Sequence, residues 1–135
     1  MDKVLQYLSM ARKAGLAELG EEPVGAAARA GKAYVIIVAT DASDHTWRRG
    51  KSYAAGTTQQ CVRLKNTKDE MGQAIGRTSL AMAAITDVSM ALALVKAMET
   101  PDEKVIAVLQ EAECRMKQRK KEAKAHARNK KMGKK

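Results

Sequence analysis

The chain has 135 residues, 45% of them hydrophobic, with no Phe, three Tyr, one Trp and a formal net charge of +10. That length suits one domain with an appendage, and the apolar fraction is enough for a real core. There is no signal-peptide pattern and no apolar run of transmembrane length, so a cytoplasmic protein away from membranes is expected.

The charge is unevenly placed. Eleven of the 25 Lys and Arg residues fall in 115–135, against one acid, Glu122. The first 114 residues balance fourteen basic against fourteen acidic side chains. A run this dense, including Arg119, Lys120 and Lys121, repels itself unless a polyanion meets it. It has few large apolar residues after Met116, which argues against membrane insertion. Read more plainly, it is a solubility appendage.

In chain order, helix and strand signals alternate. Val4, Leu5, Leu8 and Ala11 have helical spacing over residues 2–14, and a short strand follows at Leu16 to Leu19. Pro23 fits the first position of a second helix, which Gly31 ends. Tyr34 to Ala39 is a continuous apolar run, which predicts a central strand covered on both faces. Asp41 or Ser43 can cap a third helix to about Ala55. Gln60 to Leu64 reads as a strand.

Thr67-Lys68-Asp69-Glu70 has capping-box spacing and predicts a helix to about Ile75. Leu80 to Ile85 is a further strand, and Asp87 caps a helix to about Met98. Thr100-Pro101-Asp102-Glu103 then offers a cap, a first-turn Pro and a Glu three residues on. The helix it starts should bury Val105, Val108, Leu109, Ala112 and Met116, and the tail can continue it. This alternation predicts an α/β fold, a three-layer α/β/α sandwich with a small mixed sheet. Residues 1–99 form the domain, and 100–135 form a C-terminal helix running into the basic tail.

Catalytic signatures are missing. Neither a Walker pattern nor GxGxxG occurs. His45 and His126 are the only histidines; His126 lies in the tail, and His45 reads as a first-turn helix residue. Cys61 and Cys114 match no metal pattern and are expected as reduced, partly buried thiols. Asp41 and Asp44 follow the central strand, a common place for function, but they read first as helix caps. The expectation is therefore no catalytic residue, no metal and no cofactor.

The order of motifs carries a family likeness. It comprises Leu19-Gly20-Glu21-Glu22, the helix end Arg29-Ala30-Gly31-Lys32-Ala33, the strand Val35 to Ser43, then Met71-Gly72-Gln73-Ala74-Ile75-Gly76-Arg77 and the strand ending Ala84-Ile85-Thr86-Asp87. Over about residues 3 to 98 the chain resembles the ribosomal-protein L-seven-Ae/L-thirty-e superfamily, in particular its bacterial YlxQ-like branch. The resemblance implies a fold that binds RNA, often kink-turns with tandem sheared G·A pairs. It implies RNA contacts at Gly20 to Val24 and at Gly76 to Leu80. Gly20 would let the RNA backbone approach, and a helix N-terminus attracts phosphate. Glu22, then Glu21, would accept protons from an unpaired guanine edge, and Arg77, Thr78 and Ser79 would grip backbone or a flipped base. Equally, Glu21 and Glu22 are the first-turn acids that a helix dipole favours.

The chain also departs from the pattern. Pro23, Gly25 and Ala26 replace the residues expected there, and no basic residue occurs between Gly20 and Arg29. The tail residues Arg119, Lys120 and Lys121 are then expected to add sequence-independent phosphate contacts. The leading expectation is a non-catalytic, monomeric RNA-binding protein, associated with ribosomal RNA and ribosomal proteins. The alternative is a protein-interaction module anchored to the ribosome or nucleic acid by its tail. A third reading is an accessory domain of an RNA-modifying enzyme.

Overall fold

The structure is a computed structural model that describes residues 2–132, with side chains through Ala125. Lys134 and Lys135 of the basic run lie outside the described residues, as do the side chains of Arg128, Lys130 and Lys131. The elements are α1 (Lys3–Lys13), β1 (Ala17–Leu19), α2 (Glu21–Arg29), β2 (Val35–Val38), α3 (Asp44–Ala54), β3 (Gln60–Arg63), α4 (Lys68–Ala74), β4 (Met82–Ile85), α5 (Val88–Lys96) and α6 (Glu103–Met132).

The four strands form one mixed sheet in the order β1-β4-β2-β3. β4 runs antiparallel to both β1 and β2, while β2 and β3 are parallel. β2 and β4 are buried at every residue, as their continuous apolar runs require of strands covered on both faces. α2 and α3 pack together on one face; α1 packs with α4 and α5 on the other, and α6 lies along α5. This is the expected α/β/α sandwich.

Long-range polar contacts adjust several local expectations. Pro23 is the third residue of α2, not the first, because the helix starts directly after Gly20. Pro is tolerated there, since first-turn N–H groups have no partner within the helix. Ser43 caps α3 through Thr46 N–H, whereas Asp41 accepts from the Lys68 N–H at 2.8 Å and holds the start of α4. The capping box at Thr67 and Glu70 forms as expected. α6 begins at Glu103: Asp102, not Thr100, takes the Lys104 and Val105 N–H groups at 2.9 and 3.3 Å.

Two buried polar side chains tie loops together. Gln59 accepts from the Ala33 N–H at 2.9 Å and donates to the Ala28 carbonyl at 3.1 Å. Asn66 donates to Asp2 at 2.8 Å, and Asp2 in turn caps α1 through the Leu5 N–H. Cys61 is half-buried, but Cys114 is exposed, against the expectation of two partly buried thiols.

Val105, Ile106 and Leu109 of α6 join the core, and Leu109 is almost fully enclosed. Val108, Ala112 and Met116 are only half-buried, so the apolar stripe is narrower than its spacing suggests. Leu109→Ala is expected to cost about 2–4 kcal/mol in urea unfolding. A cost near zero would mean that α6 is not part of the cooperative fold.

Candidate nucleic-acid interface

The two segments singled out by sequence lie at the same end of the sheet. Gly20 closes β1 and caps α2 at φ 97° and ψ 161°, a region open almost only to glycine. Its N–H donates to the Met82 carbonyl at 2.9 Å. Met82 opens β4, two residues after Leu80 ends the second segment. The same end carries the loop after β2, where the Ala39 N–H donates to the Ala81 carbonyl at 2.9 Å.

α2 receives no side-chain cap, and Pro23 has no N–H to offer. The Glu21 and Glu22 N–H groups stand in the first turn, at the positive helix end, where N–H groups have no partner within the helix. The two glutamates differ. Glu21 is half-buried and accepts from the Thr46 hydroxyl and from Arg49 of α3, each at 2.9 Å. The Thr46 bond first, and the Arg49 charge with it, hold its carboxyl below the ordinary value of 4.5. Glu22 is exposed and its side chain makes no hydrogen bond or ion pair among the described residues, so its carboxylate is free to accept from a ligand.

The second segment folds back over α4. The Arg77 N–H donates to the Gly72 carbonyl at 2.8 Å, and the Leu80 N–H to the Lys68 carbonyl at 3.0 Å. Gly72 makes this possible: a Cβ there would stand 2.6 Å from the Ser79 nitrogen and 2.7 Å from its Cα. Gly76 turns the chain at φ 73°, leaving Arg77, Thr78 and Ser79 exposed in a row. A cation and two hydroxyls thus stand exposed on the chain that leads into β4, whose first residue is bonded to Gly20.

The sequence reading missed a contribution from α3. Arg49 brings a guanidinium to the α2 N-terminus, where α2 itself has no base. Next to it, Trp47 lies under Arg63 of β3 at 4.9 Å and Lys51 at 5.3 Å from the ring centre. Such contacts contribute about 0.5–1 kcal/mol at exposed sites. The signal was present in Trp47-Arg48-Arg49 and Lys51, a lone aromatic among bases.

The depressed Glu21 carboxyl sets a pH dependence. Its stabilisation is present above its unfolded value and is lost as pH falls through the lower folded value. Arg49 is 44% and Glu21 29% exposed, so the pair contributes under about 1 kcal/mol. Glu21→Gln should lower urea stability by that amount at neutral pH, and the gap to wild type should close in acid below 4.5. A gap that persists unchanged in acid would contradict the assignment.

Arg119, Lys120 and Lys121 are exposed on α6, and Arg119 and Lys120 stand beside Tyr34, at the strand ends away from these loops. Burial pushes the Cys61 thiol up to about 12, with Lys51 opposing only in part, so Cys61 is no thiolate at neutral pH. Among the described residues there is no group of three or more His, Cys, Asp or Glu able to hold a metal, and no helix long and apolar enough to cross a membrane.

The architecture is that of a known class of small α/β/α domains. A Bacillus halodurans protein of unknown function superposes with a TM-score of 0.68 at 23% identity, covering 74% of this chain and 100% of that one. A Giardia lamblia 15.5 kD RNA binding protein superposes with a TM-score of 0.54 at 18% identity, covering 77% of this chain and 85% of that one. At these identities the likeness is one of fold. No protein-family model and no curated protein matches the sequence.

Proposed function

We propose that this is a non-catalytic RNA-binding protein of the L-seven-Ae/L-thirty-e superfamily, YlxQ-like branch, that recognises structured, kink-turn-like RNA in the cytoplasm and associates with the ribosome. The observation that carries the reading is that Gly20 to Val24 and Gly76 to Leu80 lie at the same end of the sheet, Gly20 being bonded to Met82, two residues after Leu80. First-turn N–H groups, Arg77 and two hydroxyls suit phosphate, while the unpaired Glu22 carboxylate suits the donor edge of an unpaired base. The fold shared with a protein named for RNA binding supports the same reading.

Gel-shift titration of a kink-turn hairpin and its straightened control tests it. The protein should prefer the hairpin, and Arg77→Ala should weaken hairpin binding roughly tenfold, about 1.4 kcal/mol. Equal binding of hairpin and control at every salt concentration would overturn the proposal.

One feature favours a second reading, a protein-interaction module. Pro23, Ala26 and Ala30 line a shallow groove with Glu18 and Lys32, a small-residue surface suited to a protein partner. Retention of a protein partner by a variant that has lost all RNA binding would favour it.

A further inference from the structure

The basic tail leaves the body at the end opposite the loops. α6 starts at the loop end: Glu99, just before it, pairs with Lys65 at 3.1 Å, beside Leu64 and Asn66. It then runs back along α5. Glu113 accepts from the Ser89 hydroxyl at 2.7 Å, one residue into α5. Met116 and Arg119 border a cavity of about 190 Å³ with Tyr34 and Thr58, at the start of β2 and just before β3. Those are the strand ends remote from Gly20 and Met82, as the Tyr34 N–H bond to the Ile85 carbonyl at 3.0 Å confirms. Beyond Lys120 the helix continues to Met132, with Lys121 to Ala125 all exposed.

Distance decides what this arrangement can do. At about 1.5 Å per residue, Arg119 lies roughly 24 Å along α6 from its start, and Ala125 about 33 Å. The Debye length at physiological salt is about 8 Å. The tail charges are therefore screened from RNA held at the loops, unless that RNA itself extends down the body. The neutral body offers no excess positive charge to carry one short RNA from end to end.

Resting on the loop-end reading above, we infer that the two ends hold different stretches of RNA. The loops take a kinked element, and the tail helix takes the backbone of a second segment, so that the protein bridges RNA. Two segments of one RNA gain from both ends only if the RNA can span the body. A short kinked hairpin by itself leaves the tail unoccupied.

The test uses the full chain, saturated with a short kink-turn hairpin and titrated with a separate plain RNA duplex. The expected result is a supershifted complex containing both RNAs. Combining Arg119→Glu, Lys120→Glu and Lys121→Glu should weaken duplex uptake roughly tenfold or more and leave hairpin affinity within about twofold. If a selectively bound hairpin is displaced one for one by duplex, with no ternary complex at any ratio, the bridging inference is overturned and the loop-end reading stands. If the hairpin binds no better than its straightened control, the loop-end reading falls and the inference falls with it.

Discussion

Gly72→Ala should destabilise the protein by about 2 kcal/mol or more and also weaken discrimination between kinked and straight RNA. Two effects oppose each other. Ala is the better helix former by about 1 kcal/mol in a helix interior. Against this, its Cβ would stand 2.6 Å from the Ser79 nitrogen, 2.7 Å from the Ser79 Cα and 2.8 Å from the Thr78 carbonyl carbon. All three are backbone atoms that no rotamer change can move. Overpacking of this kind costs about 1–3 kcal/mol or more, so the clash wins. The loop Arg77 to Ser79 must lift away, and the melting temperature should fall by several degrees.

A control comes from Gly25→Ala. Its Cβ would also meet atoms at 2.9 Å, but they are the Tyr53 Cζ and hydroxyl. The far end of a side chain can swing aside, so the change should cost under about 1 kcal/mol. Equal losses at positions 72 and 25, measured by thermal melts, would contradict this account of the loop.

The second large effect is salt dependence. If the tail engages six to ten phosphates, affinity for plain duplex RNA should fall by roughly 10³ to 10⁵ between about 50 and 200 mM salt. The preference for kinked over straight RNA should change far less, because it arises at the loop end, where the protein offers a few aimed groups and not a run of charge. Fluorescence anisotropy across a salt series separates the two. A salt slope near zero would show that the tail is a solubility appendage.

The elements themselves were readable along the chain because their causes are local. The apolar run at Val35 to Val38, the capping box at Thr67 and Glu70, and Asp87 at the head of α5 all stand as the sequence indicates. What the sequence hid lies in contacts between distant residues. α2 starts before Pro23 because Gly20 is fixed by a bond to Met82, sixty-two positions away. Asp41 and Ser43 looked alike as caps until Lys68 was brought beside Asp41. Thr100 and Asp102 are both good cap types, and only the folded start of α6 chooses Asp102.

The candidate site divides in the same way. Gly20 to Glu22 and Arg77 to Ser79 were legible as motifs, but the difference between Glu21 and Glu22 was not. It depends on Thr46 and Arg49 arriving from α3. Nor was the direction of the tail legible. A count of charge places the excess after residue 114, yet only the antiparallel course of α6 along α5 sends it away from the loops.

The most direct measurement is ultraviolet crosslinking of the full chain to RNA in cells, with crosslinked residues mapped by mass spectrometry and the bound RNA sequenced. The account predicts crosslinks within Gly20 to Glu22 and Arg77 to Ser79 to kinked elements, and crosslinks around Arg119 to Lys124 to separate segments. Crosslinks confined to the tail, with none at either loop, would contradict it.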